Sequence, residues 1–476
     1  MRAFLIVLAF PLLGVAACSS TPGTAATGTG TGGSTTTGSG GDGQTGTSGS
    51  SMSSATGTGG GGPSCGNTAW VTYGHDGQRT STSDGCIDGP LTPLWTYAPV
   101  APAGKMVSRV FHPLATKDTV FLHWSATDPP YTGTSAADRV SLDGARVWTF
   151  DTGTDTDLGD WGSIWKDKLA LNSDGIYLLG QADGKSVGST GVDWWGQTIP
   201  TDGALLFSNT SKSDGPGLFV GALDEKAAVI WKQNEQGTMC GQGFADQTGG
   251  IALDGTTLFY APLYASGSGM PPGFPSGVYA FDSSAMGKPL WNVSTTPGSA
   301  ISAASGLVFL VEGTQGMGTL VARKQSDGSV AWSVDLPNGG GAQAPVLAGT
   351  LVIVATPTGI VAVEQADGKP AWKNTVSAAA LPRNTPISNG CGGLQPLGNL
   401  PTASLAVALG SGTVVAVQGG ALTVMALDTG ITKWTGMLTG GESLVNPVIV
   451  GDRLYVVGQN GQTSDKLMAF QTAPMP

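Results

Sequence analysis

Apolar residues in this chain come in short β-branched runs separated by turn residues, and no long helical period is visible. Residues 349 to 376, GTLVIVATPTGIVAVEQADGKPAWKNTV, show the unit. Leu351 to Ala355 is an apolar run that reads as a strand. Pro357-Thr358-Gly359 is a turn, and Ile360 to Val363 is a second strand. Asp367-Gly368 marks a tight turn, because Gly accepts a positive φ and Asp bonds its own backbone. Ala371 to Val376 is a third strand, and the preceding GGAQAPVLAG supplies a short one. Four short antiparallel strands make a sheet that cannot bury both faces alone.

The same sentence recurs. Asp143-Gly-Ala-Arg-Val-Trp148, Asp327-Gly-Ser-Val-Ala-Trp332 and Asp367-Gly-Lys-Pro-Ala-Trp372 share one form. Asp428 to Trp434 adds a residue, longer variants end in Trp231 and Trp291, and Asp183-Gly-Lys-Ser-Val-Gly188 has lost its Trp. The intervals between these slots are 40, 43, 60, 41, 40 and 62 residues. Such periods predict a ring of radially stacked sheets, a β-propeller. The last unit ends at Ala469-Phe470 without an outer strand, while Leu91 to Tyr97, carrying Trp95, has no unit of its own. Segment 91–98 is therefore expected to complete the final blade and close the ring. Eight blades result, or seven if the unit around Gly188 is incomplete. Trp95, Trp148, Trp231, Trp291, Trp332, Trp372 and Trp434 are the expected wedges between blades. Trp194-Trp195 is expected to fill the gap at Gly188. With Trp161 and Trp165 these residues offer, alternatively, an aromatic platform for a protein or glycan.

The Asp-Gly…Trp phrase and the valine-rich strand before it resemble the tryptophan-docking repeat of quinoprotein-like propellers, those related to PQQ-dependent alcohol dehydrogenases. The resemblance covers roughly residues 68 to 471. It implies an all-β, eight-bladed fold. Related enzymes use an adjacent-cysteine disulfide, a calcium held by Glu, Asn and Asp, and a catalytic Asp. This sequence has no Cys-Cys pair, no Asp matching the catalytic one and no Cys-x-x-Cys-His haem motif. Arg109, Arg323 and Arg383 are too scattered to form one anion clamp. The expectation is no enzyme activity and no cofactor.

The ends change the picture further. Residues 1–17, MRAFLIVLAFPLLGVAA, read as an export signal too short to span a bilayer. Val15-Ala16-Ala17-Cys18 resembles the lipobox of bacterial lipoproteins, which implies cleavage before Cys18 and lipid on it. Ser19 rather than Asp follows, which implies delivery to the outer membrane. Residues 18–64 are almost wholly Gly, Ser, Thr and Ala after the Cys, a tether reaching about 37 Å at 5–6 Å × √n. Residues 65–476 form the propeller. In layout the chain is similar to the outer-membrane assembly propeller lipoproteins, which implies a scaffold that binds protein partners during β-barrel insertion. A small-molecule or glycan-binding propeller and a degenerate dehydrogenase are the alternatives.

Charge excludes one class of partner. Lys and Arg total 22 against 33 Asp and Glu, with no basic patch, so nucleic acid is not expected. Four cysteines besides Cys18 allow three pairings. Cys65 with Cys86 and Cys240 with Cys391 are the expected pairs, the first bracketing the lead-in to the closing strand. His75, His112 and His123 lack ligand spacing. His75, in YGHDGQRT, has a structural role expected. Asp151, Asp155, Asp157 and Asp160, in DTGTDTDLGD, are the one candidate calcium loop, with a solvated acidic loop as its alternative.

Overall fold

The computed structural model describes residues 65–128, 132–153, 162–172, 175–190, 196–210, 217–236, 245–264, 277–313, 318–336, 343–375, 386–389, 393–396, 403–437, 443–460 and 463–473. The expectations placed on Cys18, the tether, Cys240, Cys391, Asp155, Asp157, Asp160, Trp161, Trp194 and Trp195 lie outside them.

Eight four-stranded antiparallel sheets form the propeller, so the count is eight rather than seven. Blades 1 to 7 span residues 106–151, 163–189, 198–236, 245–294, 302–336, 346–374 and 404–437. Blade 8 is made from both ends of the domain. Leu91–Tyr97 pairs antiparallel with Thr463–Thr472 and supplies the outer strand beside Ser443–Val450 and Arg453–Asn460. The unit around Gly188 is a full blade, with Ser186–Ser189 as its outer strand. In blade 6 the strands are Val346–Ala348, Leu351–Thr356, Gly359–Glu364 and Pro370–Asn374. Blade 1 departs from the pattern. Its inner strand is split into Met106–Val110 and Leu114–Ala115, both paired with Thr119–Asp128.

The cores lie across the seams. Ala252, Phe259 and Val278 of blade 4 pack with Ile301, Val308 and Leu310 of blade 5. Fully burying each such large side chain contributes about 1.5–3 kcal/mol, and it does so only when the neighbouring blade is present.

The recurrent phrase has a task for each residue. Asp327 Oδ1 accepts the Ser329 N–H at 2.9 Å, and Asp367 and Asp183 accept equivalent N–H groups at 3.1 Å. The Gln before each Asp, at 181, 325 and 365, turns its side-chain amide inward. Gln365 Nε2 donates to the Gly349 and Leu351 carbonyls at 3.0 and 3.2 Å, tying the blade's other turn. The main-chain oxygen of the same Gln accepts the indole N–H of the preceding blade: Trp148 to Gln181 at 3.0 Å, Trp291 to Gln325 at 2.7 Å and Trp332 to Gln365 at 2.8 Å. Trp95 and Trp372 use the Leu142 and Leu427 carbonyls in the same way, each at 2.8 Å.

The turn glycine sits flat on that indole. Gly144 faces Trp95, Gly184 faces Trp148, Gly287 faces Trp231, Gly328 faces Trp291, Gly368 faces Trp332, Gly430 faces Trp372 and Gly89 faces Trp434. The eighth seam is the informative exception. Where blade 2 has Gly188 instead of Trp, the facing turn of blade 3 carries Ala227, at φ 64°. A Cβ on Gly188 would fall on the Lys226 carbonyl oxygen. The turn has moved into the space an indole would occupy. The blade 2–blade 3 seam gains its indole elsewhere: Trp165, on the inner strand, donates Nε1–H to the Thr201 carbonyl at 2.7 Å and packs with Leu205, Phe207 and Ala227. Trp165 is 2% exposed, so it belongs to no surface platform.

Candidate functional site

A propeller's natural site is the mouth of its central channel, where the inner strands converge. Here that place is filled by the chain's own lead-in, residues 70–86. It visits the blades in order. Trp70 exchanges main-chain bonds with Ala115 of blade 1, at 2.8 and 3.2 Å, and the Val71 carbonyl accepts from Ile164 of blade 2. Thr72 Oγ1 donates to the Thr198 carbonyl of blade 3 at 2.7 Å. The carbonyls of Gly77, Gln78, Thr80 and Ser81 accept from Leu253, Ala303, Leu347 and Val407, in blades 4, 5, 6 and 7. Thr82–Ser83 then runs parallel to Val407–Ala408, and the Cys86 N–H reaches the Gly451 carbonyl of blade 8. Every contact falls close to the hairpin turn joining a blade's first two strands. The lead-in therefore seals one end of the channel, and a disulfide between Cys65 and Cys86 closes it into a loop.

Arg79 is the centre of this plug. It is 1% exposed, at φ 62°. Its Nε donates to the Ile251 carbonyl at 2.8 Å, Nη1 to Thr72 Oγ1 at 2.8 Å and to the Tyr73 carbonyl, and Nη2 to the Thr198 carbonyl at 3.2 Å. These acceptors are neutral oxygens. Burial pushes the guanidinium down to about 9, while Tyr73 and Asp76 oppose the shift, so it remains a cation at neutral pH. Burial acts to raise the Asp76 carboxyl. The hydrogen bond and charge of His75 and the bonds from Thr80 outweigh it and hold Asp76 below its usual value.

Two of the histidines, His75 and His112, pack on the aromatic residues of the plug. Trp70 meets the edge of His75 at 5.0 Å and stacks on His112 at 6.2 Å, and His112 meets Tyr73 at 5.3 Å. His123 packs on Phe111 at 4.5 Å. Burial drives His112 down to about 4, so it is a neutral ring. Its Nδ1 lies 2.8 Å from the Pro113 carbonyl. His123 Nε2 lies 3.4 Å from Ser135 Oγ, and both residues are buried.

Among the described residues no three of His, Cys, Asp and Glu are grouped to hold a metal. Asp151, the described member of the acidic loop, accepts Thr134 Oγ1 at 2.7 Å and the Gly153 N–H at 2.9 Å. Arg323 is held by Glu312 at 2.6 Å inside blade 5, away from Arg109 of blade 1, which lies over Phe111.

A further buried carboxylate marks the seam closed by the two ends of the domain. Asp138 of blade 1 accepts Tyr97 Oη of the closing strand at 2.7 Å and Thr149 Oγ1 at 2.6 Å. Burial raises its pKa, and the hydrogen bonds only partly offset this. This pair was not legible in the sequence, because Tyr97 and Asp138 fall in different blades.

Comparison with known proteins follows the same lines. The family described as outer membrane protein assembly factor BamB matches residues 275–474, from the third strand of blade 4 to the third strand of blade 8. No curated protein matches the chain. Among solved structures, quinohemoprotein alcohol dehydrogenase from Comamonas testosteroni is 14% identical with a TM-score of 0.57, covering 86% of this chain and 82% of its own. Quinohemoprotein alcohol dehydrogenase ADHIIG from Pseudomonas putida HK5 is 13% identical with a TM-score of 0.55, with the same coverages. A europium-containing methanol dehydrogenase is 14% identical with a TM-score of 0.53, covering 85% and 98%. At these identities the likeness concerns the fold. The described residues do not fit an anionic quinone at the plugged end, where Arg79 is already committed to oxygens of the plug and inner strands. The chain is an eight-bladed β-propeller of PQQ-type repeats that resembles the BamB-type outer-membrane assembly proteins.

Proposed function

We propose that the protein is a non-catalytic, extracytoplasmic lipoprotein scaffold that binds protein partners through its propeller loops during outer-membrane protein assembly. Residues 1–17 are its export signal, Cys18 carries the lipid, and residues 19–64 are the leash to the propeller. The observation that carries the reading is the match of residues 275–474 to the assembly-factor family. The plug supports it: a channel end stopped by the chain's own backbone leaves the outer surface of the ring for recognition.

The test has two arms. Mass spectrometry of the mature N-terminus should find acylated Cys18, and Cys18→Ala should leave a precursor or a soluble form. The protein extracted intact from membranes should co-purify with the β-barrel insertion machinery, and its deletion should lower the outer-membrane content of β-barrel proteins. An unmodified N-terminus elsewhere refutes the anchor. No co-purification together with unchanged β-barrel content refutes the assembly role.

A further inference from the structure

The segment enclosed by the disulfide is the plug itself. Cys65 and Cys86 are 21 residues apart in sequence, and their Cα atoms are 5.2 Å apart. Between them lie the residues that contact all eight inner strands. Beyond Cys86 the chain passes at once into ties of another kind. Ile87 is buried, with its N–H on Ser411 Oγ at 3.0 Å and its carbonyl accepting the Ser411 and Thr413 hydroxyls. Asp88 donates its N–H to Thr472 Oγ1 and pairs with Lys433 at 2.9 Å. Gly89 lies against Trp434, and Leu91–Tyr97 is the outer strand of blade 8.

We propose that the disulfide is a mechanical bypass: tension arriving along the N-terminal tether crosses the sulfurs from Cys65 to Cys86 and enters the rim at blades 7 and 8, leaving the plug unloaded. Only the source of that tension, a lipid anchor, rests on the proposed function. The geometry explains why a bypass matters. Without the disulfide, a pull on residue 65 meets the Gly66 to Asp84 bond and the Thr68 bonds to Asp84 first. It then meets Trp70 on blade 1, and the remaining blades in series. Each blade holds its own short part of the plug, from the single Leu347 bond of blade 6 to three bonds each in blades 4 and 7, so they open one after another rather than together. The channel end would be unsealed before any blade lost a strand.

Force spectroscopy reads this directly. One handle is attached within residues 50–60 and the other on blade 4, where exposed Leu290 is replaced by a clickable side chain (Leu290→p-azidophenylalanine). The handles replace the lipid, so failure of the anchor reading and failure of this one are separable. The wild-type protein should show no early extension before a blade unfolds. The Cys65→Ser/Cys86→Ser double variant should show an added low-force step of about 65–70 Å, the length of 21 extended residues less the span of the disulfide. If that variant does not fold, the wild-type protein is held folded and treated with a dithiol, which is oxidised to its cyclic disulfide as the two thiols form. The same step should then appear. Identical traces with and without the disulfide, or an early step of this length in the oxidised wild type, overturn the proposal.

Discussion

Two glycine-to-alanine changes in blade 6 separate the docking contact from the backbone cost that accompanies it. Gly349 and Gly368 both have positive φ, 60° and 71°. A Cβ on Gly349 would meet nothing within 4 Å, whereas one on Gly368 would lie 2.7 Å from Trp332 Cε3. Each alanine incurs the left-handed penalty, about 1–2 kcal/mol. Gly368→Ala must also push the indole or the turn back by about 1 Å to reach ordinary carbon contact, which adds about 1–3 kcal/mol for overpacking. It also stretches the Trp332 bond to the Gln365 carbonyl, now 2.8 Å. We expect Gly349→Ala to lose about 1–2 kcal/mol and Gly368→Ala about 2–5 kcal/mol. Guanidinium denaturation followed by tryptophan fluorescence and by circular dichroism supplies the comparison, provided the two probes coincide. In a Trp332→Leu background most of this gap should close, leaving the smaller cost of the Val334 methyl at 3.1 Å. Equal losses in the wild-type background, or an undiminished gap after Trp332→Leu, would refute docking as the source of the glycine requirement.

Three further outcomes follow from the same contacts. Gly188→Trp, which restores the repeat's consensus, should destabilise the protein by at least about 1–3 kcal/mol, because the Lys226 carbonyl already occupies the indole's place; a gain in melting temperature would show that the seam can reopen. Arg79→Ala should cost about 3–5 kcal/mol by emptying a buried site and taking one donor from each of the buried carbonyls of Tyr73, Thr198 and Ile251, with Arg79→Met milder because it fills the space; parent-like denaturation of Arg79→Ala would remove the plug's keystone. For Asp138 the folded pKa is raised, so the folded state holds its proton more tightly than the unfolded one. That contribution is present at low pH and is lost as pH rises from the unfolded value, about 3.9, through the folded one. Asp138→Asn should therefore gain relative to the parent as pH goes from about 4.5 to neutrality, read from denaturation midpoints at each pH; a constant difference would mean that the group titrates alike in both states.

The blades were legible because one sheet's chemistry is written eight times. Asp327-Gly328 and Trp332 keep step with Asp367-Gly368 and Trp372, and only a repeated contact keeps that step. The closing strand was legible for a related reason: Trp95 carried the docking signature without a unit of its own. The plug was not legible. It binds the inner strands through main-chain carbonyls at Gly77, Gln78, Thr80 and Ser81, and a carbonyl leaves no trace in side-chain periodicity. Two signals were nonetheless present: a Trp and an Arg, Trp70 and Arg79, in an otherwise polar stretch, and two cysteines enclosing both. The split inner strand of blade 1 was hidden as well, since Phe111-His112-Pro113 interrupts the run only to reach Trp70 and Tyr73 of a segment distant in sequence. Gly188 was read as a missing wedge to be filled from Trp194 or Trp195. Trp194 and Trp195 lie outside the described residues; within them the neighbouring turn closes on Gly188, and Trp165 adds an indole to the seam from the inner strand.

The plug also bears on what this fold is used for. An open propeller channel can present converging side chains to a small molecule, and the cost of building such a site is a set of polar groups held without partners until the ligand arrives. Here the sealed end spends many of its polar groups on itself, although Trp70 Nε1, His75 Nε2 and Gln197 Nε2 are buried without a hydrogen-bond partner among the described residues. Arg79 is engaged by four residues' oxygens, Ser163 Oγ lies 2.6 Å from Thr198 Oγ1 and 3.0 Å from the Thr198 carbonyl, and Ser302 Oγ donates to the Arg79 and Pro345 carbonyls. Groups committed in this way add rigidity and bind little. The ring they stiffen is closed by both ends of the domain and pinned at eight seams. Such a body holds its blades and their described turns in fixed relation to one another. The proposed scaffold role requires such rigidity.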